Sequence, residues 1–396
     1  MYLSKDEERI LKGEYGYAKQ KAMEILVALG DLYEAERLIP ISSAQIAGVS
    51  YTSIGDEGLE WVESLIDGRV EVLSTLNPSG MDLDRWSIMG VPMEYASKQV
   101  RIVEAYVKLG ILPICTCTPY LSSNLPTPGS HIAWSESSAV VFANSVLKAK
   151  TNREGGPSAL AAALLGKTPL YGLHLDENRR PGVSVKVEMD LREVWEYSVL
   201  GFYIGRILKG GVIPFIEGLK QCNLDRLKAI SASMASTGGL NMFTTDILGD
   251  TKPTPCETLS FDYSMLKETI ETLPDASTDR GSVDIVCLGC PHLSLEELNT
   301  IAFLLKGRRV RSDVKLWLFT SRAIYGVAEK CGLIDRVKSV GGEIYRDACP
   351  ALAPLSFMGY RVMATDSLKM WFYGRHLAGV KTVFLPTTEC IDTASR

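Results

Sequence analysis

The stretch DIVCLGCPHLSLEELNTIA, residues 284–302, decides the fold of the C-terminal third. Its apolar run 285–288 predicts a buried parallel strand. Gly289-Cys290-Pro291 predicts a tight turn that ends the strand, because proline has no N–H to give a sheet ladder. Ser294 with Glu297 three residues on makes a capping box, and Leu295, Leu298, Ile301, Ala302 and Leu305 recur at helical spacing. Cys290 is thereby delivered to the carboxyl end of a strand, just ahead of a helix. Open α/β sheets take ligands at that edge, where helix N-termini and loop amides converge. Cysteine is also among the most buried residue types, so this stretch alone leaves ligand, nucleophile and core filler open.

The same alternation continues to the C-terminus. A strand at 314–319 precedes a helical run at 323–331, and Gly341-Gly342 marks a turn before Asp347-Ala348-Cys349-Pro350. A strand at 361–364 leads to Asp366-Ser367 and a helix carrying Lys369, and 382–385 reads as a closing strand. Repeated β/α units mean a parallel sheet flanked by helices. The preceding segment, 251–280, is rich in Pro, Asp, Ser and Thr around one amphipathic helix, and marks a domain boundary. We expect an N-terminal α/β part at 1–150 carrying Cys117, a middle α/β part at 151–275, and a C-terminal β/α part at 276–396 carrying Cys290 and Cys349.

The N-terminal part opens with a capping box, Ser4 and Glu7, and a helical face of Ala18, Ala22, Ile25, Leu26 and Leu29 that ends at Gly30. A strand-like piece at 39–46 meets Ala47-Gly48-Val49-Ser50, whose loop amides suit either an anion or a plain turn. A strand at 70–76 stops at Asn77-Pro78-Ser79-Gly80, and helical pattern resumes at 93–109. The run 111–120, ILPICTCTPY, again ends an apolar strand in cysteine beside a proline turn. If extended, it points Cys115 and Cys117 the same way, and spacing alone leaves either as the ligand. Ser135-Glu136-Ser137-Ser138 precedes a helical run at 139–147, with serines placed to cap it or to hold an anion.

The chain has 396 residues, 46% of them hydrophobic and 22% charged, which suits a globular protein of two or three domains. A formal charge of −5 argues against nucleic acid or an anionic membrane as partner. The charged N-terminus lacks an apolar signal core, and no apolar run is long enough to span a bilayer, so we expect a soluble cytoplasmic protein. Nine cysteines, an odd number, do not suit a disulfide framework. Cys287 and Cys290 form a C-x-x-C with no second pair to complete a zinc site, and Cys287 lies inside the apolar run. Three Cys-Pro turn elements remain, around Cys117, Cys290 and Cys349. Three thiolates suffice for three irons of a cubane and leave a fourth open as a Lewis acid; three unconnected buried cysteines fit the spacing as well.

The motifs Thr116-Cys117-Thr118-Pro119-Tyr120, Ala143-Asn144-Ser145-Val146-Leu147, Thr151-Asn152-Arg153-Glu154-Gly155-Gly156, Gly289-Cys290-Pro291-His292 and Ala348-Cys349-Pro350 together resemble the aconitase X family, large subunit, within the aconitase superfamily. The resemblance runs over essentially the whole chain. It implies an aconitase-like multidomain α/β fold, with parallel sheets packed around an iron–sulfur site, and a dehydratase activity. Archaeal members dehydrate (R)-5-phosphomevalonate to trans-anhydromevalonate 5-phosphate for isoprenoid synthesis. Bacterial relatives dehydrate cis-3-hydroxy-L-proline. The implied cofactor is a 4Fe-4S cluster, with 3Fe-4S or 2Fe-2S as smaller forms, held by Cys117, Cys290 and Cys349. Cys117 is preferred over Cys115 because it abuts the Thr118-Pro119 turn. The family pattern puts substrate on Gly48, Val49, Ser50, Asn77, Pro78, Ser137, Ser138 and Lys369.

No catalytic base is expected in this chain. The swivelling domain that carries the serine base of aconitases has no room after residue 381, which implies a small subunit as partner in a heterodimer or larger assembly. That split arrangement favours phosphomevalonate over hydroxyproline as substrate. A non-catalytic iron–sulfur sensor or scaffold is the reading from another class. Of the four histidines, His131, His174 and His376 read as structural, and only His292, beside Cys290, has a supporting position.

Overall fold

The computed structural model describes residues 1–220, 222–254, 257–275 and 277–396. The chain forms two compact units: residues 1–78 with 92–180, and residues 79–91 with 181–396. The expected boundary at 150 falls inside the first unit, because Lys167–Pro169 pairs antiparallel with Leu38–Pro40 and ties that stretch back to the N-terminal part.

In the first unit these two strands are β1 (Leu38–Pro40) and β6 (Lys167–Pro169). Between them lie β2 (Ser43–Ile46), β3 (Leu73–Leu76), β4 (Leu112–Cys115) and β5 (Ala133–Trp134), which form one sheet in the order β4-β3-β2-β5. All its pairs are parallel, so every carboxyl end lies on one edge. The continuous strand expected at 39–46 is two strands, since Ile41 and Ser42 turn to bond Gly166 and His131. The N-terminal helical run is likewise two helices, Lys5–Leu11 with the expected Ser4–Glu7 capping box, and Tyr17–Leu32. The helix Ser137–Ser145 is buried at all nine positions.

Also in this unit, His131 and His174 face each other with Nδ1 atoms 3.0 Å apart. One must donate and the other accept, so both cannot carry a second proton. Burial, reinforced by the His131 ring, pushes His174 down to about 3 from 6.5. The unfolded chain takes that proton first, so stability present above pH 6.5 drains away as pH falls from 6.5 toward 3. His174→Gln is expected to flatten the acid slope of unfolding free energy by up to ~1.4 kcal/mol per pH unit. Identical slopes in parent and variant would contradict this role.

The second unit holds two parallel sheets. β7 (Val183–Val187), β8 (Pro214–Glu217), β9 (Thr244–Thr245) and β10 (Glu257–Phe261) assemble in the order β10-β7-β8-β9. The other sheet has β11 (Ile285–Leu293), β12 (Lys315–Thr320), β13 (Glu343–Arg346), β14 (Val362–Thr365) and β15 (Lys381–Phe384) in the order β13-β12-β11-β14-β15. The first strand sits at the centre and the order reverses between β11 and β14, which is where open parallel sheets place ligands. Val286, Leu288, Leu298, Ile301, Leu316, Leu318 and Ile344 are among the side chains that fill this sheet's core.

One expectation here is corrected. The strand does not stop at Leu288 but runs to Leu293 through a bulge, with the register against β12 shifting between Leu288 and Leu293. Gly289 makes this work: its φ is +112°, and a Cβ there would lie 2.3 Å from the carbonyl oxygen of Phe319. Pro291 follows a cis peptide bond and occupies the bulge, a position where a strand tolerates proline. Cys290 is therefore presented from within β11. The capping box of Ser294 and Glu297 opens the next helix, Leu295–Leu304, as expected.

Candidate active site

At the carboxyl edge of the first unit's sheet, the expected residues come from four consecutive strand ends. After β2, Gly48 adopts φ +72° and its carbonyl accepts from the Tyr106 hydroxyl at 3.1 Å. Gln99 Nε2 donates to the Val49 carbonyl at 2.7 Å, and the Ser50 and Tyr95 hydroxyls lie 3.2 Å apart. After β3, the Asn77 amide N–H bonds the Ile46 carbonyl at 2.9 Å, which locks Asn77 and the buried Pro78 beside the β2 loop. After β4, Thr116 N–H donates to Leu76 at 3.0 Å and Gln45 Nε2 to the Thr116 carbonyl at 2.7 Å.

The two cysteines of this segment are not equivalent. Cys115 pairs with Leu76 as the last residue of β4 and is fully buried, whereas Cys117 lies beyond the strand. The alternation that pointed both thiols one way does not extend to Cys117, because the strand ends first. Cys117 is 5% exposed on the turn whose Thr118 N–H bonds the Thr116 hydroxyl.

After β5 comes the residue that sequence reasoning missed. The helix Ser137–Ser145 is capped by Glu136, not by a serine. Its carboxylate accepts from Asn77 Nδ2 at 2.9 Å and from the Ser138 hydroxyl at 3.0 Å, with the Ser137 hydroxyl at 3.5 Å. Among the described residues, the buried Asn77 Oδ1 finds no hydrogen-bond partner. Glu136 stood between two serines that better fitted a capping signature, so nothing in the sequence singled it out.

The second unit places Cys290 in the β11 bulge at 8% exposure, and Cys349, half-buried, on the turn after β13. His292 Nε2 lies 2.8 Å from the Ala348 carbonyl, so the supporting position expected of His292 is a bond from one cysteine segment to the other. Segment 79–91 completes the turn: Ser79 N–H bonds the Asp347 carbonyl at 2.7 Å, and Cys349 N–H the Ser79 carbonyl at 3.0 Å. Arg85 pairs with Glu343 at 2.7 Å, and Asp84 meets both Arg322 and Arg346 at 2.6 Å. Lys369 lies in the first turn of the helix Leu368–His376, 6% exposed, behind the Ser367 cap.

A small cavity of about 30 Å³ adjoins Cys290, lined also by Ser198, Lys228, Glu297, Asp366 and Ser367. Lys228 is buried there, ion-paired with Asp225 at 3.1 Å and with Glu297, and it donates to the His292 carbonyl at 3.2 Å. Burial works against its charge, but Glu297 and Asp225 outweigh it and hold the ammonium protonated. Burial pushes the Glu297 carboxyl up to about 7, and also raises Asp366. Lys228 lay in a helix with no motif around it, which is why the sequence did not flag it.

Among the described residues, no three His, Cys, Asp or Glu side chains converge to hold a single metal ion. A cubane cluster asks for something else, since each thiolate binds a different iron and the sulfurs stay apart. Within the first unit Cys117 lies just past a strand end, and within the second Cys290 and Cys349 lie at and just past strand ends; thiols placed so fit that chemistry.

Parallel sheets whose carboxyl edges carry thiols, hydroxyls and buried charge define an α/β protein of the class that takes ligands at strand ends. The chain belongs to the aconitase X family. The family's first domain matches residues 1–177, its second 181–271 and its third 283–396. The phosphomevalonate dehydratase large subunit of Methanocaldococcus jannaschii is 45% identical over 94% of this chain and 95% of its own length. Its Methanothermobacter thermautotrophicus counterpart is 46% identical over 97% and 96%. The cis-3-hydroxy-L-proline dehydratase of Pseudomonas aeruginosa is 35% identical, over 98% of this chain and 69% of that protein. The crystal structure of Thermococcus kodakaraensis aconitase X in its holo-form superposes with TM-score 0.91 at 43% identity, covering all of both chains. Among the described residues no helix is long and apolar enough to cross a membrane.

Proposed function

We propose that this chain is the large subunit of a dehydratase that removes water from (R)-5-phosphomevalonate, giving trans-anhydromevalonate 5-phosphate. One observation carries the choice of substrate: identity is 45–46% to large subunits named for that reaction, against 35% to a hydroxyproline dehydratase. Cys117, Cys290 and Cys349 would hold the iron–sulfur cluster that aconitase-like proteins carry, and when bound it supplies a Lewis acid for the departing hydroxyl. The chain's own side chains bind and orient. The amides of Gly48 to Ser50 and the ammonium of Lys369 suit the anionic ends of the substrate, and Asn77, Pro78, Ser137 and Ser138 flank its middle. The α-proton goes to a base on a small subunit, the partner that the relatives' name "large subunit" calls for.

The test is turnover by the anaerobically purified chain with its small subunit, given (R)-5-phosphomevalonate and cis-3-hydroxy-L-proline side by side. We expect kcat/KM to favour the phosphorylated substrate by at least about a hundredfold, roughly the 2.7 kcal/mol of one charged contact. The reverse preference would overturn the assignment. In the same assay Lys369→Ala is expected to lose on the order of a hundredfold in kcat/KM, with iron content unchanged. Turnover within about twofold of the parent would remove Lys369 from the substrate site.

A further inference from the structure

The hydrogen bonds at the start of the helix Ser137–Ser145 decide what kind of group the neighbouring side chains can recognise. Glu136 is buried to 9% exposure. Its Oε2 accepts from Asn77 Nδ2 at 2.9 Å, and its Oε1 from the Ser138 hydroxyl at 3.0 Å, the Ser138 N–H at 3.4 Å and the Ser137 hydroxyl at 3.5 Å. A carboxylate beside a primary amide selects the amide's NH₂ end, which fixes the orientation of Asn77 and turns its Oδ1 away. That Oδ1 is one of the buried oxygens without a partner among the described residues, in a residue 8% exposed. A hydroxyl has one proton, so a serine that donates it to Glu136 has no second proton to give an anion. The positive end of the helix is already met by Glu136 itself.

The geometry points to a hydroxyl-binding subsite in which Glu136 is the positioning residue: it takes one N–H of Asn77 and the hydroxyl protons of Ser137 and Ser138, so that Asn77 Oδ1 accepts a hydrogen bond from a substrate hydroxyl and this corner does not hold its carboxylate or phosphate. This rests on the reading of the chain as a dehydratase of a phosphorylated hydroxy acid. It reverses the anion-site expectation for this helix start and leaves anionic oxygens to the Gly48–Ser50 loop and Lys369. Glu136→Gln puts an NH₂ where only acceptors stood. It then faces Asn77 Nδ2 or a serine proton, and one of them must turn.

The dehydrated product lacks the hydroxyl, which makes a differential test available. Dissociation constants of (R)-5-phosphomevalonate and of its dehydration product are measured on the anaerobic complex, for the parent, Glu136→Gln and Asn77→Ala. We expect the substrate Kd to rise at least tenfold in both variants and the product Kd to stay within about twofold, with Tm and iron content held. Asn77→Ala removes the acceptor together with its Nδ2 bond to Glu136 but leaves the carboxylate and its serine bonds in place, and decides the matter if Glu136→Gln does not fold. Equal weakening of substrate and product, or no weakening of either, overturns the subsite. If the parent binds neither compound, the substrate reading falls instead, and the same comparison with cis-3-hydroxy-L-proline and its product decides the role of Glu136.

Discussion

Cys290→Ser is expected to abolish dehydration and to strip most of the iron from the protein while leaving its fold in place. The bulge that presents this thiol does not depend on the sulfur. It is shaped by Gly289 at φ +112°, by the return of the ladder at Leu293 opposite Thr320, and by the Thr320 hydroxyl bonding the Leu293 carbonyl at 2.6 Å. His292 and Lys228 add bonds on either side. A serine hydroxyl is a hard, protonated ligand and a poor substitute for thiolate on iron. Losing the Lewis acid should cost activity at least about a thousandfold, or ~4 kcal/mol. Cys117→Ser and Cys349→Ser should behave alike. Cys222→Ser and Cys390→Ser should stay active and iron-loaded, since burial holds the first thiol up at about 11 and the second well above its ordinary value. Cys256, expected from the sequence to be equally dispensable, lies outside the described residues. A fully active, iron-loaded Cys290→Ala protein would sink the assignment. Iron loss in Cys115→Ala with retention in Cys117→Ala would exchange those two.

Equally large is the effect expected from the partner. Expressed by itself, the chain should fold and take up iron yet turn over (R)-5-phosphomevalonate at a rate close to background. The motive is chemical: the roles proposed for this chain's residues are binding and orientation, the base for the α-proton is assigned to the small subunit, and general-base catalysis is worth about 10²–10⁴ in rate. A subunit that closes over the site would also exclude water. Adding the small subunit should restore activity, and replacing its base serine should remove it again with the complex still assembled. A stable complex implies a buried interface well above ~1,000 Å². Near-full turnover by the chain in the absence of any second polypeptide would refute the split site.

What the sequence made legible follows from how local each signal is. The capping boxes Ser4–Glu7 and Ser294–Glu297 are complete within four residues, and both are present. The β/α alternation of the C-terminal third needs only apolar runs and turn residues, and five parallel strands answer to it. The β11 bulge was hidden because Gly-Cys-Pro reads as a stop; only the neighbouring strand, where Phe319 closes on Gly289, shows that the ladder resumes. Glu136 was hidden because its partner Asn77 is 59 residues away. Lys228 was hidden because Glu297, which steadies it, is 69 residues away in another sheet's helix. The cysteine turns gave the positions of the thiols, whereas their use as a set came from the family resemblance.

A cubane cluster held by Cys117, Cys290 and Cys349 would leave one iron without a protein thiolate, open to the substrate. Mössbauer spectra of the ⁵⁷Fe-loaded anaerobic complex, taken before and after addition of (R)-5-phosphomevalonate, test this most directly. We predict one distinct iron site whose parameters change on substrate addition while the remaining irons keep theirs. A spectrum unchanged in every iron, under conditions where the substrate is bound and turned over, would contradict it.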